Sequence, residues 1–399
     1  MTDASVEPIE DFRSRLRTWL ADNMPRAERA GAGMAMNQGR QSDDEELAEV
    51  TQHRELQRRL FDAGFAGICF PKEYGGQGAG VLDLCLVVEE LSRACGGVGV
   101  AYAVNALGSF PIMVSGTEAQ KRKWLPPIAS GEKLIAFGLT EADAGSDPSG
   151  IRTRAVRDGD DYVIDGGKRF ISHASVADYV VVFAMTNPDA ARPSRRLSAI
   201  VVETDRPGFT VTRLEHKMGI RGSPTAELAF DGVRVPVGNR LGDEGQGFAI
   251  AMQTFERSRP GIAAQAVGIA QGALEAATRH ANERRQFGKP IGELQMIQAM
   301  LADMDAQTEA ARQLLYTACQ EIEAGAPDAA RWAAICKLVA GDTAMRVTTD
   351  AVQVFGGYGY VEDYPVERMM RDAKITQLYE GTQQIQRLIV ARALLAKHL

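Results

Sequence analysis

The apolar residues of this chain change their period twice, and that double change limits the folds open to it more than any other feature. From about Ile9 to Lys133 they recur at three- and four-residue spacing, the mark of helices with one buried face. Phe12, Leu16, Trp19 and Leu20 form one stripe, and Leu47, Val50, Leu56, Leu60 and Phe61 another. The run PKEYGGQGAG reads as a glycine-rich loop, after which VLDLCLVVEELSRA resumes a helix. Between roughly Leu134 and Gly245 the pattern becomes that of short strands. ADYVVVFAMT and LSAIVVET are β-branched runs, and Asp165-Gly166-Gly167 and the Asp-Gly of AELAFDGVRVP read as turns. From about Phe248 long helical patterns return, through Ile262 to Ala277, Gln295 to Ile322, Ala334 to Val347, and Gln383 to Leu399. The longer ones approach or exceed ~20 residues, about 30 Å, so neighbours can pack as an antiparallel bundle.

The expected fold class is therefore mainly α with a central β domain. An N-terminal helical domain is expected over 1–133, a middle β domain over 134–245 and a C-terminal helical bundle over 246–399. An apolar fraction of 45% supports a substantial core, and a net charge of -7 argues against general nucleic-acid binding. Five scattered cysteines, without a C-x-x-C pair, suit free thiols in a reducing compartment, and five histidines form no paired metal motif. The N-terminus MTDASVEPIEDF has no signal or presequence character. No apolar run approaches the ~20 residues that span a bilayer, so a cytoplasmic protein without a membrane partner is expected.

Four segments carry candidate chemistry. In IAFGLTEADAGSD, Thr140, Gly145 and Ser146 offer hydroxyls and close-approach N–H groups that can hold a phosphate or a polar ring edge. The same residues also suit an ordinary turn, with Glu141, Asp143 and Asp147 as capping residues. In NERRQFGKP, Arg284 and Arg285 can grip a pyrophosphate and Phe287 can cover a ring, or the cations can simply complement a helix C-terminus. QVFGGYGY places glycines after a helix, where a dinucleotide fingerprint would place them after a strand, so it is no Rossmann signature. Those glycines either stop the helix or let a backbone lie flush against a cofactor.

The most specific segment is RDAKITQLYEGTQQIQRLIVAR. Here Tyr379-Glu380-Gly381-Thr382 breaks a helical pattern, and Thr382 can cap the helix that follows. Glu380 is then either a solvated linker residue or a carboxylate on a bend. In an apolar setting the second has a raised pKa and can act as a general base.

Together, in this order and spacing, the four segments resemble the acyl-CoA dehydrogenase family from about residue 45 to the C-terminus. The resemblance implies a helical N-terminal domain, a β barrel-like middle domain and a C-terminal four-helix bundle. It further implies non-covalent FAD, an acyl-CoA substrate, an electron-transfer flavoprotein as acceptor and a homotetramer. By the same resemblance Leu139, Thr140, Gly145 and Ser146 contact the flavin, with Ser146 also near the pantetheine arm. Phe170, Ile171 and Ser172 lie beside the isoalloxazine ring. Arg284, Gln286, Phe287, Gln353, Gly356 and Gly357 hold the distal half of FAD across a subunit interface, and Thr382 and Gln384 make further cofactor contacts. Glu256, Arg259, Tyr379 and Gly381 lie near the substrate, and Ala103 and Val104 near the acyl pocket.

Glu380 matches the base that removes the α-proton while the β-hydride passes to flavin N5, leaving a trans-2-enoyl-CoA. A branch of the family carries its base on an earlier helix, where this chain has Ser258. Phe170 stands where many members have Trp, His173 where Asn is usual, and TEADAGSD where TEPxAGSD is common. The scaffold also hosts oxygen-using acyl-CoA oxidases, flavin monooxygenases that generally lack this Glu, and non-enzymatic relatives. A short- to medium-chain or branched acyl group is expected.

Overall fold

The computed structural model describes residues 8–23 and 54–396. Leu47 and Val50 of the second stripe, and the end of the last predicted helix at 397–399, lie outside the described residues. Helix α1 (Ile9–Asn23) turns Phe12, Leu16 and Leu20 inward, as its spacing predicts. It is followed by α2 (54–62), α3 (Val81–Ala94), α4 (Gly96–Ser115) and α5 (Glu118–Ala129). Thr117 starts α5 with a reciprocal cap: its hydroxyl accepts from the Gln120 amide and its own amide donates to Gln120 Oε1.

Helix α4 departs from expectation. Its 20 residues are long and apolar enough to cross a membrane, with a mean hydropathy of 1.5 over its most apolar window. That window is 78% buried inside the fold, so the apolar surface is satisfied by protein rather than lipid.

The middle region forms one mixed, mostly antiparallel sheet of β1 (Ile135–Gly138), β2 (Arg154–Asp158), β3 (Asp161–Ser172), β4 (Tyr179–Met185), β5 (Leu197–Glu203), β6 (Phe209–Leu214), β7 (Thr225–Pro236) and β8 (Arg240–Leu241). The order is β6-β7-β3-β2-β4-β5-β8, with β1 parallel beside β4. Strands β4 and β5 are buried on both faces. Val181, Phe183, Ala199 and Val201 pack toward Trp124 and Leu125 of α5, while Val180, Val182, Ile200 and Val202 pack toward Tyr162, Ile164 and Phe230. Period-2 alternation thus divides their side chains between two cores.

Two expected turns are not turns. β3 runs unbroken through Asp165-Gly166-Gly167, and β7 runs through Asp231-Gly232. The two stretches face each other where the register slips between Ile164 and Gly166, which makes them a shared bulge. Gly166 sits at φ +137°, and a Cβ there would come within 2.7 Å of Thr153 Cα. The Asp-Gly signal therefore marks the bend of long strands rather than their ends.

Long helices return with α6 (Gly247–Glu283), α7 (Gln295–Glu323), α8 (Ala329–Phe355), α9 (Pro365–Ile375) and α10 (Gln383–Ala396). Between α6 and α7 lies a small hairpin of β9 (Arg285–Gln286) and β10 (Lys289–Pro290). One apolar core joins α1, α3 and α4 to α6, α7 and α8. The architecture is mainly α with a central sheet, and α6 is the axis on which both the helical regions and the sheet pack.

Candidate active site

A cavity of about 490 Å³ opens where the end of β1, the end of β3, helices α4 and α6, and the link between α9 and α10 converge. The loop after β1 contributes Leu139, Thr140, Gly145 and Ser146, and the end of β3 contributes Phe170, Ile171 and Ser172. Helix α6 contributes Ser258 and Arg259, and the α9–α10 link contributes Tyr379, Glu380 and Gly381. The inner wall is apolar: Leu84, Val100, Ala103, Val104, Leu107, Phe110, Phe137 and Phe255.

The loop after β1 is held from behind by a buried ion pair. Lys168 of β3 is fully buried and donates to Glu141 Oε1 at 2.7 Å and to the Leu139 carbonyl at 3.0 Å. Glu141 also accepts from the amides of Arg152 (2.7 Å) and Thr153 (3.0 Å). Burial holds the Lys168 ammonium down at about 8 despite its partner. Burial pushes the Glu141 carboxyl up, but Lys168 and the two amides outweigh it, so that carboxyl lies below its ordinary value. Asp147 caps a short 3₁₀ turn through Ser149, and Asp143 meets Arg152 at the surface. The acids of this loop are therefore structural. Gly145 faces open space, where a Cβ would meet nothing within 4 Å.

The base candidate sits on strained backbone. Glu380 has φ +50° and Gly381 φ +91°, two successive left-handed residues, and for a glutamate that conformation persists only if its surroundings enforce it. They do so through the carbonyls. Arg259 Nε donates to the Glu380 carbonyl at 3.2 Å, and Gln386 Nε2 donates to the Glu380 and Gly381 carbonyls at 3.1 and 2.9 Å. Lys337 Nζ donates to the Gly381 carbonyl at 2.8 Å. Among the described residues, no acceptor takes the Glu380 amide. Ser258 Oγ donates to the carboxylate at 2.5 Å. Burial raises the Glu380 pKa above its ordinary value, opposed in part by Ser258, Arg259 and Lys337. Tyr379 turns its hydroxyl away to Gln265 of α6, which itself holds the Gly96 carbonyl at 3.0 Å.

A second cavity, of about 710 Å³, lies along the C-terminal end of α6. It gathers Arg284, Gln286, Gly356 and Gly357 with His280 and Tyr358. The Arg284 guanidinium lies 5.0 Å from the Tyr358 ring centroid. Gly356 and Gly357 have nothing within 4 Å of a built Cβ, so a flat surface is left there. Five predicted residues line neither cavity. Phe287 stands at the hairpin tip, 90% exposed; Gln353 and Gln384 are exposed on α8 and α10; Glu256 is half-buried on α6; and Thr382 caps α10 by accepting from the Ile385 amide at 3.3 Å. Lys337, Gln265 and Gln386 were not legible as site residues, because each lies within an ordinary helical pattern. Ser258, noted only as an alternative base position, proves to be a hydrogen-bond donor to the base candidate.

Three family profiles cover nearly the whole chain: the acyl-CoA dehydrogenase N-terminal domain over 10–132, the middle domain over 136–233 and the C-terminal domain over 245–395. The chain belongs to the acyl-CoA dehydrogenase family. It is similar to a short-chain-specific acyl-CoA dehydrogenase of Clostridium acetobutylicum, 49% identical over 84% of this chain and 88% of the relative. It is 47% identical to a cyclohexane-1-carbonyl-CoA dehydrogenase of Geobacter metallireducens over the same shares. Butyryl-CoA dehydrogenase from Megasphaera elsdenii superposes with a TM-score of 0.86 at 42% identity, over 99% of this chain and 100% of the other. A structure described as the electron transferring flavoprotein of Acidaminococcus fermentans superposes with a TM-score of 0.88 at 44% identity, over the same shares.

As an acyl-CoA dehydrogenase the protein is an oxidoreductase of acyl-CoA thioesters, and its cofactor is FAD. The residues fit that cofactor. The opening after β1 is bordered by hydroxyls and by a glycine with free space before it, and Phe170, 57% exposed, presents a ring at the cavity mouth. The three-domain acyl-CoA dehydrogenase fold implied by the sequence motifs is the fold observed. Among the described residues no group of His, Cys, Asp and Glu is arranged to hold a metal ion.

Proposed function

We propose that Glu380 removes the α-proton of an acyl-CoA thioester bound in the cavity between α4, α6 and the sheet. The single observation that carries this reading is the Glu380–Gly381 turn. It brings a carboxylate of raised pKa to the cavity wall and turns both carbonyls away, toward donors on α6, α8 and α10. The Glu380 amide is then free to donate to a thioester carbonyl, which stabilises the negative charge that develops there and acidifies the α-carbon. FAD, when bound, supplies the hydride acceptor for the β-carbon. Thr140, Ser146 and Ser172 are proposed to hold its ring system, with Phe170 shielding one edge. Arg284, Gln286, Gly356 and Gly357 are proposed to hold a distal, pyrophosphate-bearing portion, because a guanidinium and a glycine surface suit that chemistry.

A short- to medium-chain or branched acyl group is proposed as substrate. The inner wall is apolar, and the relatives named above act on short and cyclic acyl groups by their names. An electron-transfer flavoprotein is proposed as acceptor, supported by the likeness to the Acidaminococcus structure. Assembly as a homotetramer is proposed on the apolar residues left exposed, among them Phe287, Tyr360 and Leu395. The deciding experiment is anaerobic titration with a panel of acyl-CoA esters. Glu380→Gln should keep FAD bound and lose substrate-driven bleaching of the flavin; bleaching retained at the wild-type rate would exclude Glu380 as the base.

A further inference from the structure

Lys337 is an anomaly in α8. Its neighbours on the inward stripe are Ala333, Ala334, Ala340, Gly341 and Ala344, all small and apolar, yet its own side chain is completely buried. Burying an ammonium is unfavourable unless its hydrogen bonds return the lost hydration, and a methionine would fill the same space without that penalty. Among the described residues no carboxylate stands within ion-pair distance of it. Its bonds go instead to the Gly381 carbonyl at 2.8 Å and to Gln383 Oε1 at 3.2 Å. Both acceptors belong to the link that carries Glu380.

That link is clamped to α8 at both ends. Gln383 donates to the Leu338 carbonyl (2.7 Å) and to Asp342 Oδ1 (3.0 Å), and Gln377 donates to the same Asp342 oxygen (2.7 Å). Between these clamps, Lys337 is, among the described residues, the one cation on the Gly381 carbonyl. A neutral donor would satisfy that carbonyl, so the positive charge calls for a second explanation. The group it faces supplies one. Lys337 faces Glu380, Arg259 and Asp342; Glu380 faces Lys337 from α8, Arg259 and Ser258 from α6, and its neighbour Tyr379; Arg259 in turn faces Glu256 and Cys336. Two cations on two helices are thus bonded to the turn that carries the proposed base, Arg259 at the Glu380 carbonyl and Lys337 at the Gly381 carbonyl, and both favour its ionised form, while the cavity wall is apolar.

We propose that Lys337 is a positioning residue for the base, holding the left-handed Glu380–Gly381 turn through the Gly381 carbonyl and offsetting the charge of the ionised Glu380. The inference rests on Glu380 being the base. Burial holds the Lys337 ammonium at about 8, so the offsetting charge is present at neutral pH.

The test uses Lys337→Met and Lys337→Gln in the full-length, FAD-loaded protein, read in two ways. The first is amide hydrogen exchange over residues 379–382. The second is the pH profile of kcat for acyl-CoA-driven flavin bleaching. Lys337→Met should speed exchange about tenfold or more and lower kcat with little change in KM. It should also move the acid limb of the profile up by about one unit, because an opposite charge that favoured the carboxylate is gone. Lys337→Gln loses the charge, so its acid limb should rise as well. A Met variant that only melts earlier, with exchange and acid limb unchanged, would overturn the proposal, as would failure of both variants to fold. Should the wild type bleach with no acyl-CoA, the base reading fails by itself; unchanged exchange in Lys337→Met would still overturn the positioning role, and faster exchange would support it.

Discussion

Lys168→Met is the perturbation whose consequence the structure allows to be worked through furthest. The ammonium it removes is fully buried and bridges Glu141 and the Leu139 carbonyl, behind the loop that lines the cavity. Removing one partner of a buried pair costs ~3–5 kcal/mol, chiefly because the other charge is left uncompensated. Glu141 is not wholly abandoned, since it keeps two backbone amides and is 10% exposed, so the low end, about 3 kcal/mol, is expected. At ~2.1 cal/mol/K of unfolding entropy per residue, 399 residues correspond to ~0.8 kcal/mol per kelvin, a fall of about 4 °C in Tm.

The effect should carry a pH signature. The folded Glu141 pKa lies below its unfolded value, so its contribution is present above the unfolded pKa and is lost as pH falls through the folded one. Without Lys168 that acid-side loss should shrink. Differential scanning calorimetry of the FAD-loaded protein between pH 4 and pH 7, with FAD retention followed by absorbance, measures both. The double variant Lys168→Met/Glu141→Gln should recover part of the loss, because no charge is then left buried. A single variant that melts within about 1 °C of wild type and holds FAD equally well would refute the claim that this pair anchors the loop.

Two further outcomes follow from the geometry of the proposed base. As the proposed base, Glu380 has to be ionised to take a proton and its pKa is raised, so bleaching should fail on the acid side at a pH above the ordinary carboxylate range, and Ser258→Ala should move that limb higher still by removing the 2.5 Å donor; a stopped-flow pH profile measures both. For stability the sign is opposite to Glu141: a raised folded pKa gives a contribution present at low pH and lost as pH rises through it. Gly381→Ala would place a Cβ 2.8 Å from Gln386 Nε2 at φ +91°, a strain of about 1–2 kcal/mol. It should lower kcat more than it lowers Tm, and equal turnover with wild type would show that the turn tolerates repacking.

Much of this was legible in the chain alone because the signals are local. The three- and four-residue stripe of Phe12, Leu16 and Leu20 became a buried helix face, and Val180 to Ala184 became a central strand. Tyr379-Glu380-Gly381-Thr382 became a bend between helices, with Thr382 capping the second. Where a local signal has two physical meanings, sequence reading chose wrongly. Asp-Gly pairs suit a hairpin turn and a bulge equally, since both need a residue that tolerates positive φ, and only the pairing of β3 with β7 decided between them. Helix α4 is apolar enough for a membrane, and only the protein packed around it explains why.

The sequence by itself determined the period of each segment, the bend at Glu380 and the motifs that identify the family, because these depend on neighbours in the chain. The tertiary structure decided what the carboxylate meets. Ser258 lies 122 positions away from Glu380, and Lys337 lies 44 from Gly381. Electrostatic contact falls off with distance in space, not along the chain, so the groups that set the pKa and hold the turn became visible only once α6, α8 and α10 were packed together.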